Sequence, residues 1–410
     1  MTSETASKLP PQTGSVLVIS ALLATIGLVM VYSATAPFAL GEFVPPHFVR
    51  QLIGLVMGSA LAFVASRLSP EHWRRIALPL WGVAVAMLVL VPLVGDKVNG
   101  SRRWLTLPGL GFQFQPSEFA RWVTLVAVVS VLAGREQISR RASAAPFGAL
   151  ALAAIPAALI FVEPDTGSAV VLLGLVAILL FVAGTKLRIF AVPGALLGAA
   201  LAIAIQFRPY VADRILAFRD PWAHADDQGF QLVQSFVAFA RGGLFGVGLG
   251  DGRQKLYYLP EAHTDFVLSV LAEELGLVGV AIVIGAFAAL LIAGCRIALR
   301  SRDRFNFLMA AGMTALLTVP AALNGAVVMG LVPPKGIAMP FLSYGRTSLL
   351  VSFVAVGTLL GIARREARNP DANTPSHLTR VGERLSGRER GHQAGNGRAE
   401  TRRSWNSWSP

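Results

Sequence analysis

Long apolar runs separated by short polar segments dominate the pattern of this chain. Ten of these runs carry no charged residue, and they cover residues 14–41, 51–66, 76–95, 122–134, 142–162, 166–185, 189–207, 275–295, 305–334 and 347–363. Since a helix that crosses a bilayer needs about 17–25 residues, most of them are long enough to span it. The fourth run needs 117–121 to reach that length, and the eighth can extend back to about Ala262. The pattern predicts an all-α polytopic membrane protein with ten transmembrane helices.

Composition agrees with a membrane protein and excludes a soluble one. The 410 residues are 54% hydrophobic and only 14% charged, with a mean hydropathy of +0.59, whereas about 25% of a soluble domain is charged. The single cysteine, Cys295, excludes an intrachain disulfide and a multi-cysteine metal site. The first apolar run lacks a small-residue cleavage site, so we expect a retained helix rather than a signal peptide.

The placement of lysine and arginine predicts the orientation. If the N-terminus is cytoplasmic, the formal net charge of +13 divides into +14 on inner loops and tails and −1 on outer segments, as expected for basic cytoplasmic segments. The basic charge then reports topology and requires no nucleic-acid partner. We predict a disordered N-terminal tail (1–13), a membrane domain (14–368) with a large outer loop (208–263) between helices seven and eight, and a disordered basic C-terminal tail (369–410).

Several cations lie in predicted outer segments, against this trend; they are Lys97, Arg102, Arg103, Arg253, Lys255, Lys335 and Arg346. Local pairing with outer acidic residues is one explanation. The other is an anionic substrate such as a phosphate-bearing lipid headgroup, which Arg and Lys bind well. Arg103 follows a turn-prone Asn-Gly pair and is the strongest candidate for such a contact.

Two acidic positions near these loops have simpler structural explanations. Glu118 and Arg121 are three residues apart at the start of the fourth helix, so we expect them to pair on one helix face. Asp165 lies in a tight turn just before the sixth helix, where a carboxylate is a favoured N-cap.

The segment from 251 to 279 brings charge into an apolar helix. Glu261, His263 and Asp265 lie at its start, and Glu273 and Glu274 lie inside it. Ionisable residues at membrane depth are functional candidates, and a partly desolvated carboxylate has the raised pKa that suits a general base. We predict that Asp265 is this base. His263 is either a second titrating group or a structural residue, and the two deeper glutamates are helix-packing partners.

The last outer segment, 333–348, is rich in proline and glycine and cannot form a regular helix. Irregular backbone at membrane depth is tolerated where it is buried in protein or lines a cavity. We therefore predict that Lys335, Ser343, Tyr344 and Ser348 face a polar cavity, with Asn324 of the ninth helix pointing the same way. A glycine-rich run at 242–252 has no strand–helix context, so it indicates a flexible or re-entrant segment rather than a nucleotide loop.

Together these motifs resemble the SEDS family (shape, elongation, division and sporulation). The resemblance rests on NGSRRW at 99–104, QPSE at 115–118, PDTG at 164–167, YLPEAHTDF at 258–266 and the segment 334–348. It is strongest to the cell-division branch, because the elongation branch typically has arginine where this chain has Ala262. Two positions depart from the family pattern: Arg346 replaces a usual glycine, and Arg121 replaces a common lysine.

The resemblance implies a ten-helix peptidoglycan glycosyltransferase that uses lipid II. It places the protein in the bacterial cytoplasmic membrane at the division septum, with a class B penicillin-binding transpeptidase and other division proteins as partners. The family's essential aspartate falls on Asp265, its loop arginine on Arg103, and its last-loop lysine and serine on Lys335 and Ser343.

The reaction we expect is an inverting glycosyl transfer, in which Asp265 takes the proton from the acceptor's 4-hydroxyl. The departing undecaprenyl pyrophosphate would be held by Arg103 and Lys335, and further positive charge would come from Arg253, Lys255 or a bound Mg²⁺ or Mn²⁺. The substrate site would also be lined by Glu261, His263, Tyr344 and Ser348. The sequence requires no cofactor. Two alternatives are a lipid II flippase and a non-catalytic scaffold of the division complex.

Overall fold

The structure is a computed structural model that describes residues 11–39, 44–98, 101–107, 112–134, 139–207 and 209–368. Most of the predicted N-terminal tail (1–10) and the predicted C-terminal tail (369–410) lie outside these residues. Met1–Arg364 form one compact unit, and Arg365–Pro410 form a second, of which only the end of the last helix is described.

Each of the ten apolar runs contains a helix. These are α1 (Pro11–Thr35), α2 (Pro46–Arg67), α3 (Pro70–Val94), α4 (Pro116–Ala133), α5 (Ser139–Val162), α6 (Thr166–Val182), α7 (Ala191–Phe207), α10 (Val267–Arg300), α11 (Arg304–Val328) and α12 (Arg346–Arg368). Among the described residues, eight helices are long and apolar enough to cross a membrane; α6 and α7 have 17 residues each. The helical membrane class is confirmed, while the number of crossings and their direction stay predictions.

Local signals explain several of the helix starts. Proline occupies the first position of α1, α2, α3 and α4, where its missing N–H costs no hydrogen bond. The Oγ of Ser69 accepts a bond from the His72 N–H at α3, and Asp303 caps α11 in the same way through the Asn306 N–H. Because α1 begins at Pro11, the first helix starts three residues before residue 14, the predicted start of the membrane domain.

Two helices that each pack against several others form the centre of the bundle. α4 packs against α3, α5, α6 and α11, and α10 packs against α1, α11 and the helix α9 (Phe230–Gly242). By contrast, α2 and α3 carry exposed apolar side chains such as Val56 and Leu93. In a membrane protein such side chains face lipid, and the exposed apolar residues therefore agree with the membrane class.

The segment after α3, predicted as a loop, is a small antiparallel sheet, so the fold is not strictly all-α. Its strands are β1 (Asp96–Val98), β2 (Ser101–Leu107) and β3 (Phe112–Phe114), in the order β1-β2-β3. Polar and apolar residues alternate in β3 and in the last three residues of β2, Leu105–Leu107, and this short strand pattern was overlooked in the sequence. This sheet holds Arg103 in place.

The predicted outer loop at 208–263 also contains regular structure. It forms α8 (Pro209–Arg219), α9 (Phe230–Gly242) and a π-helical turn at Gln254–Tyr258. The segment therefore belongs to the folded body and contributes side chains to it.

The extension of the eighth predicted helix back to Ala262 is wrong, because α10 begins at Val267. Glu261 has φ of +54°, a left-handed conformation that is uncommon outside glycine. Its carbonyl accepts bonds from the N–H groups of Thr264 and Phe266, which closes a turn instead of a helix. Glu261 and Asp265 are thus placed by a turn and not by one helix face.

α10 is interrupted at Gly276, whose φ of 66° and ψ of −166° are not helical. The glycine-rich segment at 242–252 supplies hydrogen-bond partners for the backbone at this break. The Val247 N–H donates to the Glu273 carbonyl at 2.9 Å, and the Leu277 N–H donates to the Gly243 carbonyl at 2.9 Å. Since backbone groups released by a helix break must find partners, this segment is a fixed part of the bundle and not a mobile loop.

Candidate active site

A polar cavity of about 860 Å³ opens where the sheet, the start of α4, the α5–α6 turn, α8, the turn before α10 and the segment before α12 meet. This volume is in the range of small-molecule sites. Ten of the predicted site residues line it: Arg103, Glu118, Arg121, Asp165, Glu261, His263, Asp265, Lys335, Tyr344 and Ser348. Residues from distant parts of the sequence therefore share one cavity.

Asp265 lies in the cavity wall against the segment before α12. The Asn324 side-chain N–H₂ donates to the carbonyls of Asp265 and Ile337, both at 2.7 Å, which ties this turn to that segment. A Cβ on Gly336 would lie only 2.8 Å from the Asp265 Oδ2, so glycine leaves the space that the carboxylate occupies. Asn324, predicted to point towards this region, holds the base without lining the cavity.

The electrostatic surroundings of Asp265 suit a base. Its pKa is raised to about 7, first by burial and then by the carboxylates of Glu261 and Asp165, while Arg214 and Arg103 oppose the increase. A carboxylate with a pKa near neutrality is half ionised at pH 7, and its conjugate acid holds a proton firmly. Asp265 can therefore accept a proton during a reaction near neutral pH.

Three cations surround Asp265. The Arg103 guanidinium donates to the carbonyls of Glu163 (3.3 Å) and Pro164 (2.6 Å), and Arg214 donates to the Pro334 carbonyl at 3.2 Å. Lys335 follows Pro334 directly. Burial lowers the pKa of Lys335, and the Asp165 carboxylate partly offsets this effect. The three side chains give one side of the cavity a positive charge.

Arg214 was missed by sequence reasoning, although it is another outward cation. It lies in a stretch where Asp213, Arg219 and Asp220 offer local pairing. Nothing in that local pattern separates it from a solvated charge. Helix α8 carries it to the cavity.

The acidic residues at the start of α4 and α6 have the structural roles that their spacing indicates. Glu118 and Arg121 form a buried ion pair that faces the cavity. Asp165 caps α6 through the Ser168 N–H at 3.1 Å, and its other oxygen accepts a bond from the Ser117 hydroxyl at 3.5 Å. These residues shape the cavity floor.

Glu163 was also missed as a titratable group. Its side chain is 2% exposed, and neither carboxylate oxygen has a hydrogen-bond partner within the described residues. Burial is the main cause that raises its pKa to about 8, with a contribution from Asp165. It is therefore mostly protonated at neutral pH and adds little charge near Arg103.

A second part of the cavity is built from aromatic side chains and one arginine. The rings of His47 and Tyr344 are 5.0 Å apart, and His263 contacts both. Arg346, two residues after Tyr344, is buried and donates to the Gln113 side-chain oxygen at 3.4 Å. Burial lowers the pKa of His263 despite the opposing charge of Glu261, so this imidazole is neutral at pH 7.

Three predicted substrate contacts do not reach the cavity, whose lining in the described part of the chain does not include Ser343, Arg253 or Lys255. The Ser343 hydroxyl accepts a bond from the Met339 N–H at 2.7 Å and shapes its own loop. Arg253 is exposed on the glycine-rich side of α10. The Lys255 ammonium is buried and donates to Glu274 (2.6 Å), Ser33 (2.8 Å) and the Gly250 carbonyl (2.7 Å).

The two deeper glutamates are also satisfied by structural partners. Glu273 pairs with Arg241 at 3.1 Å and accepts the N–H groups of Arg253 and Gln254, both at 3.0 Å. Both glutamates are 0% exposed. A buried carboxylate needs such partners, and here they connect the break in α10 to the preceding segment.

Within the described residues, no cluster of three or more His, Cys, Asp or Glu side chains is arranged to hold a metal ion. The reaction proposed for this cavity includes no step through a metal.

With this architecture in hand, comparison with known proteins defines the class. The family model for FtsW, RodA and SpoVE, described as cell cycle protein, matches residues 14–368. The chain therefore belongs to this family, as the motifs predicted.

Individual relatives narrow the similarity. The chain is 41% identical over 351 residues to the probable peptidoglycan glycosyltransferase FtsW of Trichlorobacter lovleyi, covering 85% of this chain and 92% of the relative. It is 40% identical over 356 residues to the protein of the same name from Coxiella burnetii, covering 85% and 95%.

Solved structures of members of this family have a fold similar to that of this chain. One chain, from work on structural coordination of polymerization and crosslinking by a peptidoglycan synthase complex, matches with a TM-score of 0.71 and 29% identity over 88% of this chain and 99% of that one. The Thermus thermophilus rod shape determining protein RodA matches with a TM-score of 0.64 and 27% identity, over 88% and 98%. The fold is thus that of a multi-pass membrane protein of the peptidoglycan synthase class.

Proposed function

We propose that this protein is an inverting peptidoglycan glycosyltransferase that polymerises lipid II into glycan strands during cell division. The acceptor's 4-hydroxyl oxygen attacks the anomeric carbon of the donor. The bond from that carbon to the pyrophosphate oxygen breaks, and undecaprenyl pyrophosphate leaves with the bonding electrons. Asp265 takes the hydroxyl proton.

The proposal rests on a carboxylate whose pKa is near neutrality and which lies beside a group of cations. An inverting transfer needs a base on the attacking side and stabilisation of the leaving group. Asp265 has a pKa of about 7, and Arg103, Arg214 and Lys335 line the same cavity. Fixed cations in a partly dry site stabilise the charge that develops on a departing pyrophosphate.

The setting of the reaction follows from the class of the relatives. We propose the outer face of the bacterial cytoplasmic membrane at the septum as the site of action. A class B penicillin-binding transpeptidase is the proposed partner, together with other division proteins. Similarity to a chain from a complex that coordinates polymerization with crosslinking supports a polymerase that works beside a crosslinking enzyme.

The direct test is lipid II polymerisation by the purified protein in detergent, with and without the transpeptidase. We expect glycan products from the wild type and a loss of at least about 100-fold in Asp265→Asn, as for removal of a general base. Asp251→Asn is the matched control, because Asp251 is exposed and outside the cavity. Full activity of a folded Asp265→Asn protein would refute the role of the base.

A flippase is the rival that a structural feature favours, since broken helices such as α10 are common in transporters. The charged groups at this break are buried and paired with one another, however. The detergent assay separates the two functions, because micelles have no second compartment for transport. Polymer formation there requires an enzyme, and a non-catalytic scaffold would yield none.

A further inference from the structure

The cavity contains a second cationic region that the proposed chemistry does not use. Arg346, His47, Tyr344 and Gln113 line it, and we call them the Arg346 group. Arg346 is only 9% exposed, so its charge lies within the protein and against the cavity. It is also the first residue of α12, where the helix dipole disfavours a cation and favours a nearby anion.

The Arg346 group and the cations around Asp265 are anchored at different places. Arg103, Lys335 and Arg214 are fixed on the α5–α6 turn and the segment Pro334–Gly336. Arg346 is anchored on β3 through Gln113, which pairs with Thr106 of β2. Thr106 is three residues along the strand from Arg103, or about 10 Å at ~3.3 Å per residue.

The reaction requires two separated anion sites if both substrates are lipid-linked pyrophosphates. The donor's pyrophosphate is attached to the carbon under attack, so it must lie beside the base. The acceptor's reacting hydroxyl is at one end of a disaccharide, and its pyrophosphate is at the other. With that hydroxyl at Asp265, the acceptor's pyrophosphate must lie two sugar rings away.

We propose that the Arg346 group binds the retained pyrophosphate of the acceptor, with Arg346 as the residue that recognises its charge. This inference rests on the proposed function. Arg103, Lys335 and Arg214 then serve the donor, whose pyrophosphate leaves. A guanidinium suits the acceptor site because it can bind two phosphate oxygens at once, and His47 and Tyr344 provide hydrogen-bonding groups beside it.

The test uses two lipid II analogues that restrict each substrate to one role. A 4-deoxy analogue can only donate, and an analogue with a methylene group in place of the anomeric oxygen can only accept. Together they yield one disaccharide coupling, and each can be titrated while the other is saturating. Arg346→Gln, Arg346→Lys and the wild type are compared, with Arg102→Gln as the control.

We expect Arg346→Gln to raise the KM of the acceptor analogue by about 10-fold or more, as for loss of a charge-assisted hydrogen bond, and to leave the KM of the donor analogue within about twofold. Arg346→Lys should give a smaller rise, because lysine keeps the charge but loses the two-pronged geometry. Arg102 is exposed and donates to the Leu93 carbonyl, so its variant should match the wild type.

Each outcome decides a different point. An unchanged acceptor KM in Arg346→Gln, or an equal rise in both KM values, overturns the assignment of Arg346. If Arg346→Gln does not fold, as judged by size-exclusion chromatography, Arg346→Lys decides: an acceptor KM equal to that of the wild type then overturns it. If the wild type forms no coupled product even from unmodified lipid II, which can both donate and accept, the proposed function fails instead.

Discussion

The pH dependence of the reaction should follow the charges around Asp265. Its pKa of about 7 is set first by burial and next by the carboxylate of Glu261. The base form is the carboxylate, so activity should rise with pH. Glu261→Gln removes one negative charge, which lowers the pKa of Asp265 and moves the rising limb to lower pH. Arg214→Gln removes a cation and should move it the other way.

The size of the effect follows from the titration. A base with a pKa of about 7 is roughly 10% ionised at pH 6 and 90% at pH 8, so kcat/KM should rise about ninefold across this range. One pKa unit corresponds to about 1.4 kcal/mol of interaction between charges. A decrease of one unit in Glu261→Gln would raise the ionised fraction at pH 6 about fivefold relative to its own plateau.

The assay is initial-rate polymerisation of lipid II between pH 5.5 and 8.5, with each variant normalised to its plateau. Asp251→Asn is the charge control, since it removes an exposed carboxylate outside the cavity and should leave the profile unchanged. A wild-type rate that is flat or falls from pH 6 to pH 8 would refute Asp265 as the titrating base. Profiles of Glu261→Gln and Arg214→Gln that coincide with the wild type would refute the electrostatic account.

Three further changes test how the site is built. Lys255→Met leaves the fully buried Glu274 without its cation and should lower the free energy of unfolding by about 3–5 kcal/mol, measured as a lower unfolding temperature in detergent. The double variant Lys255→Met with Glu274→Leu should recover part of the lost stability. Gly336→Ala places a methyl group 2.8 Å from the Asp265 carboxylate and should lower kcat while the protein stays folded. Asp265→Asn should raise the unfolding temperature more at pH 8 than at pH 4, because a carboxyl whose pKa is raised on folding from 3.8 to about 7 destabilises the folded state increasingly as the pH rises between these two values.

The helices could be predicted from the sequence because hydropathy is a local property. Each apolar run contains a helix, whatever its neighbours do. The break in α10 could not be predicted in this way. Gly276 stands within an apolar run, and the hydrogen bonds at this break join Glu273 and Leu277, on either side of it, to an earlier segment of the chain. A helix interruption that is repaired by distant backbone leaves little trace in the local pattern.

The small sheet and the turn before α10 illustrate a different limit. Alternation in β2 is confined to its last three residues and follows two arginines, so the local pattern did not indicate a strand. The start of α10 depends on the left-handed conformation of Glu261, which a residue without special preference adopts only because the surrounding turn fixes it. In both places tertiary structure decided the local conformation.

Lys255 and Lys335 show why charge alone did not identify the site. Both are lysines in predicted outer segments, and both were expected to contact substrate. Glu273 and Glu274 lie inside an apolar helix and must be neutralised by protein cations; Arg241 and Lys255 do so. Within the described residues, no cation lies at ion-pair distance from Asp265 and no acidic group lies at that distance from Lys335, so these two remain available for chemistry in the cavity.

Whether a charged side chain has an ion-pair partner in the protein separates catalytic from structural charges in the stretch before and within α10. The deeper glutamates are the more buried, and depth alone would make them the stronger candidates. Their carboxylate oxygens are engaged in hydrogen bonds and ion pairs, and neither side chain belongs to the cavity lining in the described part of the chain. Asp265 is less buried, but cations adjoin it without neutralising it. Its pKa therefore stays near neutrality, and that incomplete compensation is what a general base requires.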